Sequence, residues 1–90
     1  MDATTRLQRS PDATFQNVAG EAILIHMQTG VYYSLNEVGA AFWNLLDGRQ
    51  MIAECADRIA AEYDAPRETI VQDLLELAGE LAAEKLVIEA

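Results

Sequence analysis

One thiol and one imidazole are the side chains of this sequence best suited to nucleophilic chemistry, Cys55 and His26. Such a pair attacks a carbonyl only when the imidazole lies within hydrogen-bond reach of the sulfur. Here the histidine falls in a segment that reads as strand and the cysteine in one that reads as helix, and no catalytic signature surrounds either. A strand-surface histidine and a small buried thiol are the ordinary readings. A lone histidine excludes a multi-histidine metal site. Gly20, Gly30, Gly39, Gly48 and Gly79 are too dispersed to form a phosphate-cradling loop. Asp57 and Glu62 read as helix-surface charges rather than an acid and base facing across a cleft. Trp43 offers a stacking face, but an aromatic inside an amphipathic helix is more often core. The residues point away from an enzyme, and from any cofactor or metal.

Charge narrows the partners. Six Lys+Arg stand against fifteen Asp+Glu, a formal net charge of −9, which repels a phosphate backbone and an anionic membrane surface. A peptide of basic or apolar character suits the chain better. Ninety residues allow one domain, and no apolar run approaches the ~18 residues of a bilayer span. The first fifteen residues lack the apolar core of a secretory signal, and a single cysteine forms no intrachain disulfide. A soluble cytoplasmic protein is the expectation.

Residues 1–13 are polar and turn-like at Ser10-Pro11-Asp12, which predicts a flexible lead-in to a domain spanning 14–90. Phe15 to Val18 and Ala22 to Ile25 flank a stretch containing Gly20, giving two short strands and a tight turn. A second turn at Gln28-Thr29-Gly30 leads into Val31-Tyr32-Tyr33-Ser34-Leu35, rich in β-branched and aromatic residues. Asn36 is an N-cap with Glu37 in the first turn. Val38, Ala41, Phe42, Leu45 and Leu46 follow at helical spacing, and Asp47-Gly48 closes the helix. Ile52 to Tyr63 repeats the helical period, with Glu54/Arg58 as an i,i+4 ion pair, until Asp64-Ala65-Pro66 breaks it. Pro66 opens a third helix running toward Lys85, and Val87-Ile88 is a candidate terminal strand.

On the third helix Ile70, Val71, Leu74, Leu75, Leu77, Ala78, Leu81 and Ala82 span an arc of roughly 160°, wider than the ~100° stripe one core contact needs. Asp73, Glu76, Glu80 and Glu84 border its Ile70/Leu77 edge. Such a run reads either as a solvated face or as the seat of a basic partner beside the apolar edge. The Val71/Leu75 edge is the alternative wall.

The predicted fold is α+β and winged-helix-turn-helix-like, a three-stranded antiparallel sheet followed by three helices. A winged-helix regulator bound to DNA is a competing function. In residues 67–90, however, Arg67 and Lys85 face Glu68, Asp73, Glu76, Glu80, Glu84 and Glu89, the wrong sign for a recognition helix. What remains is the free edge of a small sheet, to which a peptide adds as a further strand. Alternation puts Val31, Tyr33 and Leu35 on the core face, and Tyr32 and Ser34 on the other. An exposed edge also pairs with its own copy, so a weak homodimer is a further expectation.

"VYYSLNEVGAAFWNLLDG" followed by "IAECADRIAAEYDAP" and "TIVQDLLELAGELAAEKLVIEA" resembles the PqqD family and its relatives, the leader-recognition elements of ribosomally made, modified peptides. The similarity lies in an aromatic strand ending in Leu35-Asn36-Glu37, a helix closed by Asp47-Gly48, a second ending near Tyr63-Asp64, and Asp73-Leu74 leading to Leu81 and Leu86-Val87. The resemblance runs over about residues 15 to 89, and only the order and spacing of its parts are specific. Lys85, where a glycine is usual in the family, and Pro66 depart from its pattern.

The resemblance implies a non-catalytic adaptor that binds a precursor's leader against the third strand and presents it to processing enzymes. These are a leader peptidase and a cyclase in lasso-peptide assembly, the favoured pathway, or a radical SAM enzyme in the alternative one. Val31, Tyr32, Tyr33, Ser34 and Leu35 then supply the docking edge, Ile70, Leu74 and Leu77 the apolar wall, and Asp73 faces a cationic or hydrogen-bonding leader residue.

Overall fold

The earliest strand is held from both sides. The computed structural model, which describes residues 1–90, places β1 (Arg6–Arg9) between β5 (Asp47–Met51) and β6 (Val87–Glu89), both antiparallel to it. Its register sets Leu7 opposite Glu89, Arg9 opposite Val87 and Arg6 opposite Met51. Leu7 alternates inward and is only 1% exposed, because the pleat turns its neighbours Arg6 and Gln8 to water. The carbonyls of Thr5 and Ala3 accept from the Ile52 and Ala53 amides at 3.0 and 2.9 Å. These are two of the donors that a helix start leaves without an intrahelical partner. The flexible lead-in expected for residues 1–13 is thus replaced by a central strand. Its polar composition concealed this because only Leu7 need be apolar in a four-residue strand with one buried face.

A second sheet has the order β2-β3-β4, with β2 (Ala13–Val18), β3 (Glu21–His26) and β4 (Tyr32–Leu35) forming the predicted three-stranded meander. Ala19 and Gly20 both have positive φ, 53° and 82°, which matches the two-residue hairpin turn whose twist suits the flanking strands. β3 turns Ala22, Leu24 and His26 inward, and β4 contributes Leu35.

Three helices follow as expected: α1 (Glu37–Leu45), α2 (Ile52–Tyr63) and α3 (Arg67–Ala83). The Asn36 side chain caps α1 by accepting from the Gly39 amide at 2.9 Å. Asp47-Gly48 does not close that helix. The helix ends at Leu45, and Asp47 opens β5, its Oδ1 accepting from the Arg49 and Gln50 amides in a side-chain turn. Gly48 sits at φ 80°, and a Cβ there would lie 2.9 Å from Gln8 Oε1. Glu54 does not pair with Arg58. Its carboxylate accepts from the Met51 amide at 2.8 Å as part of the α2 cap, while Arg58 reaches Gln50 Oε1. Pro66 precedes α3 rather than opening it.

The core gathers Phe42 and Trp43 from α1, Ile52, Cys55, Ala56 and Ile59 from α2, Ile70, Leu74, Ala78 and Leu81 from α3, Leu7, Leu24 and Val87 from the sheets, and Leu86 from the link between α3 and β6. Phe15 meets Trp43 edge-on at 5.7 Å, and the Arg9 guanidinium lies 5.2 Å above the Phe15 ring. Such contacts contribute about 0.5–1.5 kcal/mol beyond burial.

Candidate strand-docking groove

β4 pairs with β3 and with nothing on its other side. In an antiparallel ladder successive residues turn their amide and carbonyl groups to opposite edges. The His26 amide donates to the Val31 carbonyl at 2.9 Å, so Val31, Tyr33 and Leu35 face β3, and the main-chain groups of Tyr32 and Ser34 point outward. No backbone bond outside the regular elements uses those outward groups. The turn before β4 is fixed from within: His26 Nδ1 accepts from the Gln28 and Thr29 amides at 3.2 and 3.3 Å. The imidazole proton is therefore on Nε2. His26 is 5% exposed, a buried turn-former rather than the strand-surface residue expected.

Beside this edge lies a cavity of about 210 Å³ lined by Asn36, Val38, Gly39, Asp73, Leu74 and Leu77. Its shape depends on Gly39. A Cβ at that position would come within 3.3 Å of the side chains of Leu35 and Leu77, so the glycine lets the first turn of α1 approach α3. Leu77 is half-buried, Asp73 is exposed, and Leu74 forms the floor at 1% exposure. Ile70, expected in the wall, is at 4% exposure a core residue and does not line this cavity. Val71 and Leu75, the alternative wall, pack half-buried against the core.

Tyr33 reaches from β4 to α3, where its hydroxyl donates to the Glu80 carboxylate. That bond, then partial burial, then the charges of Glu80, Glu76 and Glu84 push the phenol up to about 12, since each disfavours a phenolate. From the sequence Tyr33 belongs to the docking edge, chiefly through its backbone, and Glu80 to the acidic border of the apolar edge, but nothing joins the two, and Val38 and Gly39 are left out of the groove. A glycine in the first turns of an otherwise apolar helix was the one available signal of a close approach.

The opposite edge of the sheet, β2, leads to a larger hollow of about 610 Å³ between the β2–β3 turn, α1 and α2. Asn17, Glu37, Arg58 and Glu62 make it polar, and the Asn17 amide is engaged by Asn44 at 3.1 Å. Cys55 is buried, and desolvation first, then the charges of Asp47 and Glu54, push its thiol up to about 11. The sulfur stays protonated at neutral pH and is a poor nucleophile. No three His, Cys, Asp or Glu side chains cluster as metal ligands, and no helix is long and apolar enough to cross a membrane.

Comparison with known proteins adds lineage to this geometry. The family model described as "Coenzyme PQQ synthesis protein D (PqqD)" matches residues 21–87. A "PqqA binding protein" of Gluconobacter oxydans (strain 621H) is 40% identical over 43 residues, covering 48% of this chain and 45% of that protein. A protein of the same name from Bradyrhizobium diazoefficiens is 31% identical over 55 residues, covering 61% and 53%. The chain thus spans about half the length of the curated relatives it matches. The solved structure "TbiB1 in Complex with the TbiA(beta) Leader Peptide" is similar with a TM-score of 0.79 and 34% identity, over 89% of this chain and 93% of that one. "Lasso peptide synthetase B1 complexed with the leader peptide" shares the fold, with a TM-score of 0.79 and 19% identity over 92% and 98%.

Proposed function

The chain belongs to the PqqD family, and from that premise we propose that it is a non-catalytic adaptor that binds the leader of a ribosomally made precursor peptide as a strand added to β4. The observation that carries this reading is the open main-chain row of Tyr32 and Ser34 beside the Val38/Leu77 cavity. Those two residues offer four backbone bonds, each contributing a net ~0.5–1.5 kcal/mol. Association costs ~4–15 kcal/mol, so edge bonds alone do not hold a peptide. One apolar leader side chain entering the cavity adds ~1.5–3 kcal/mol, and such anchors, in a groove formed before binding, supply the remainder.

The adaptor then presents the precursor to its processing enzymes. Lasso-peptide assembly, with a leader peptidase and a cyclase, is favoured because the sequence resemblance implies it, and because the chain is similar over nearly its whole length to leader-bound TbiB1 and shares its fold with a leader-bound lasso peptide synthetase B1. Service to a radical SAM enzyme is the second reading, supported by the two PqqA binding proteins over about half their length. The protein works in the cytoplasm, and without a leader its open edge self-pairs weakly.

Titration of a fluorescently labelled leader peptide encoded beside this chain tests the proposal. Binding at micromolar concentration or tighter is expected, about −8 kcal/mol. Leu77→Glu should weaken it at least about tenfold, with unchanged circular dichroism, by placing a charge in the apolar wall. Absence of binding at about 10 μM protein overturns the reading.

A further inference from the structure

The wall of the groove carries charge of one sign. Glu76 and Glu80 lie on α3 and Glu84 caps its end, four residues apart and so on one helix face, and the Glu80 carboxylate accepts from the Tyr33 hydroxyl, which sets that face against the α3 side of β4; all three carboxylates disfavour ionisation of the phenol. No cation answers them. The only ion pair in the structure, Arg67 with Asp57, lies between α3 and α2. Like charges at this spacing oppose the helix, and Glu80 and Glu84 sit near its C-terminal end, where the dipole is already negative. Apart from the Tyr33 hydroxyl on Glu80, nothing in the free chain offsets the repulsion among the three carboxylates.

Strand addition brings a side chain to that point. Tyr33 faces α3, so a guest residue paired opposite it faces α3 as well, its Cβ about 5 Å from that of Tyr33. A lysine or arginine there reaches the carboxylates while its stem covers the ring. Backbone pairing does not distinguish registers two residues apart, because the pleat repeats at that interval; a fixed charge beside the edge does.

We propose that the guest peptide carries Lys or Arg at the position facing Tyr33, selected by Glu80 together with Glu76 and Glu84, and that this contact sets the register of the added strand. The inference rests on the docking reading above and assigns the chemistry of its guest. Asp73, two turns toward the N-terminus of α3, remains with the apolar cavity.

A randomised dodecapeptide display library, selected against the wild-type chain, provides the test. Binders that fail on Leu77→Glu define the groove. Among them one position should be enriched in Lys or Arg. Their affinity should fall about tenfold in the combined Glu76→Gln, Glu80→Gln, Glu84→Gln variant, and by a comparable factor between about 0.05 and about 0.5 M NaCl. Glu80→Lys should move the preference at that position to Asp or Glu, which a merely structural role does not explain. The glutamine variant relieves repulsion along α3, so its melting temperature should not fall. Groove binders with no basic preference, or with affinity unchanged in the glutamine variant, overturn this inference and leave strand docking intact. A library without any Leu77-sensitive binder overturns both.

Discussion

The Tyr33 hydroxyl on β4 donates to the Glu80 carboxylate on α3, so the open strand and the helix that walls its groove are tied by one polar contact. The contact holds the phenol proton more tightly in the folded chain than in the unfolded one, where the ordinary value of 10 applies. Its stabilisation is complete below pH 10 and is lost as pH rises toward about 12. Alkaline titration at the tyrosinate absorbance band should show one of the three tyrosines ionising late. Tyr33→Phe should remove that late step and cost no more than about 1 kcal/mol, since the site is partly open to water.

Ser34→Pro separates the edge from the fold. The Ser34 amide points away from β3, and proline is tolerated where a strand's amide faces solvent. Urea denaturation should show a loss of less than about 1 kcal/mol, while leader binding should weaken at least about tenfold through a lost donor and a ring in the path of the guest. Unchanged affinity would place the guest elsewhere.

Lys85 stands at φ 58°, just past the end of α3. The Leu86 amide donates to the Leu81 carbonyl at 2.9 Å and the Lys85 amide to that of Ala82 at 3.0 Å. This is the left-handed helix stop that glycine satisfies without Cβ strain. Lys85→Gly should therefore raise stability by about 0.5–1 kcal/mol, seen as a higher urea midpoint with an unchanged slope. Lys85, one of the two positions where the sequence departs from the pattern it resembles, is thus a site of backbone strain.

Leu7→Ala should destabilise the domain by about 2–4 kcal/mol, measured in the same denaturation, because Leu7 is buried at the centre of the first sheet. A loss under 0.5 kcal/mol, the range of ordinary surface substitutions, would mean that β1 is an appendage.

The elements that repeat were readable from the sequence. Asn36 announced α1, the period from Ile52 to Tyr63 announced α2, and Gly20 and Gly30 punctuated the meander. β1 and β5 were not readable, since RLQR and DGRQM have too few apolar residues to show a period and exist only because each pairs with a distant segment. The site was half legible for a related reason. Val31–Leu35 reads as an edge strand, and Asp73, Leu74 and Leu77, expected beside it from the spacing on α3, line one cavity, whereas the outward groups of Tyr32 and Ser34 follow from the pairing of His26 with Val31. The place of Ile70 in the core, the approach permitted by Gly39 and the span from Tyr33 to Glu80 depend on how two helices and a strand meet. No single segment encodes that.

The position of β1 between β5 and β6 has a consequence for synthesis. Its register partners include Val87 and Glu89, so a nascent chain emerging from the ribosome carries a strand whose second neighbour is translated only after all three helices. Contacts of such long sequence separation close late. The first sheet is completed only after α3 has left the exit tunnel, and until then β1 is a sticky edge of its own, open to wrong partners in the crowded cell.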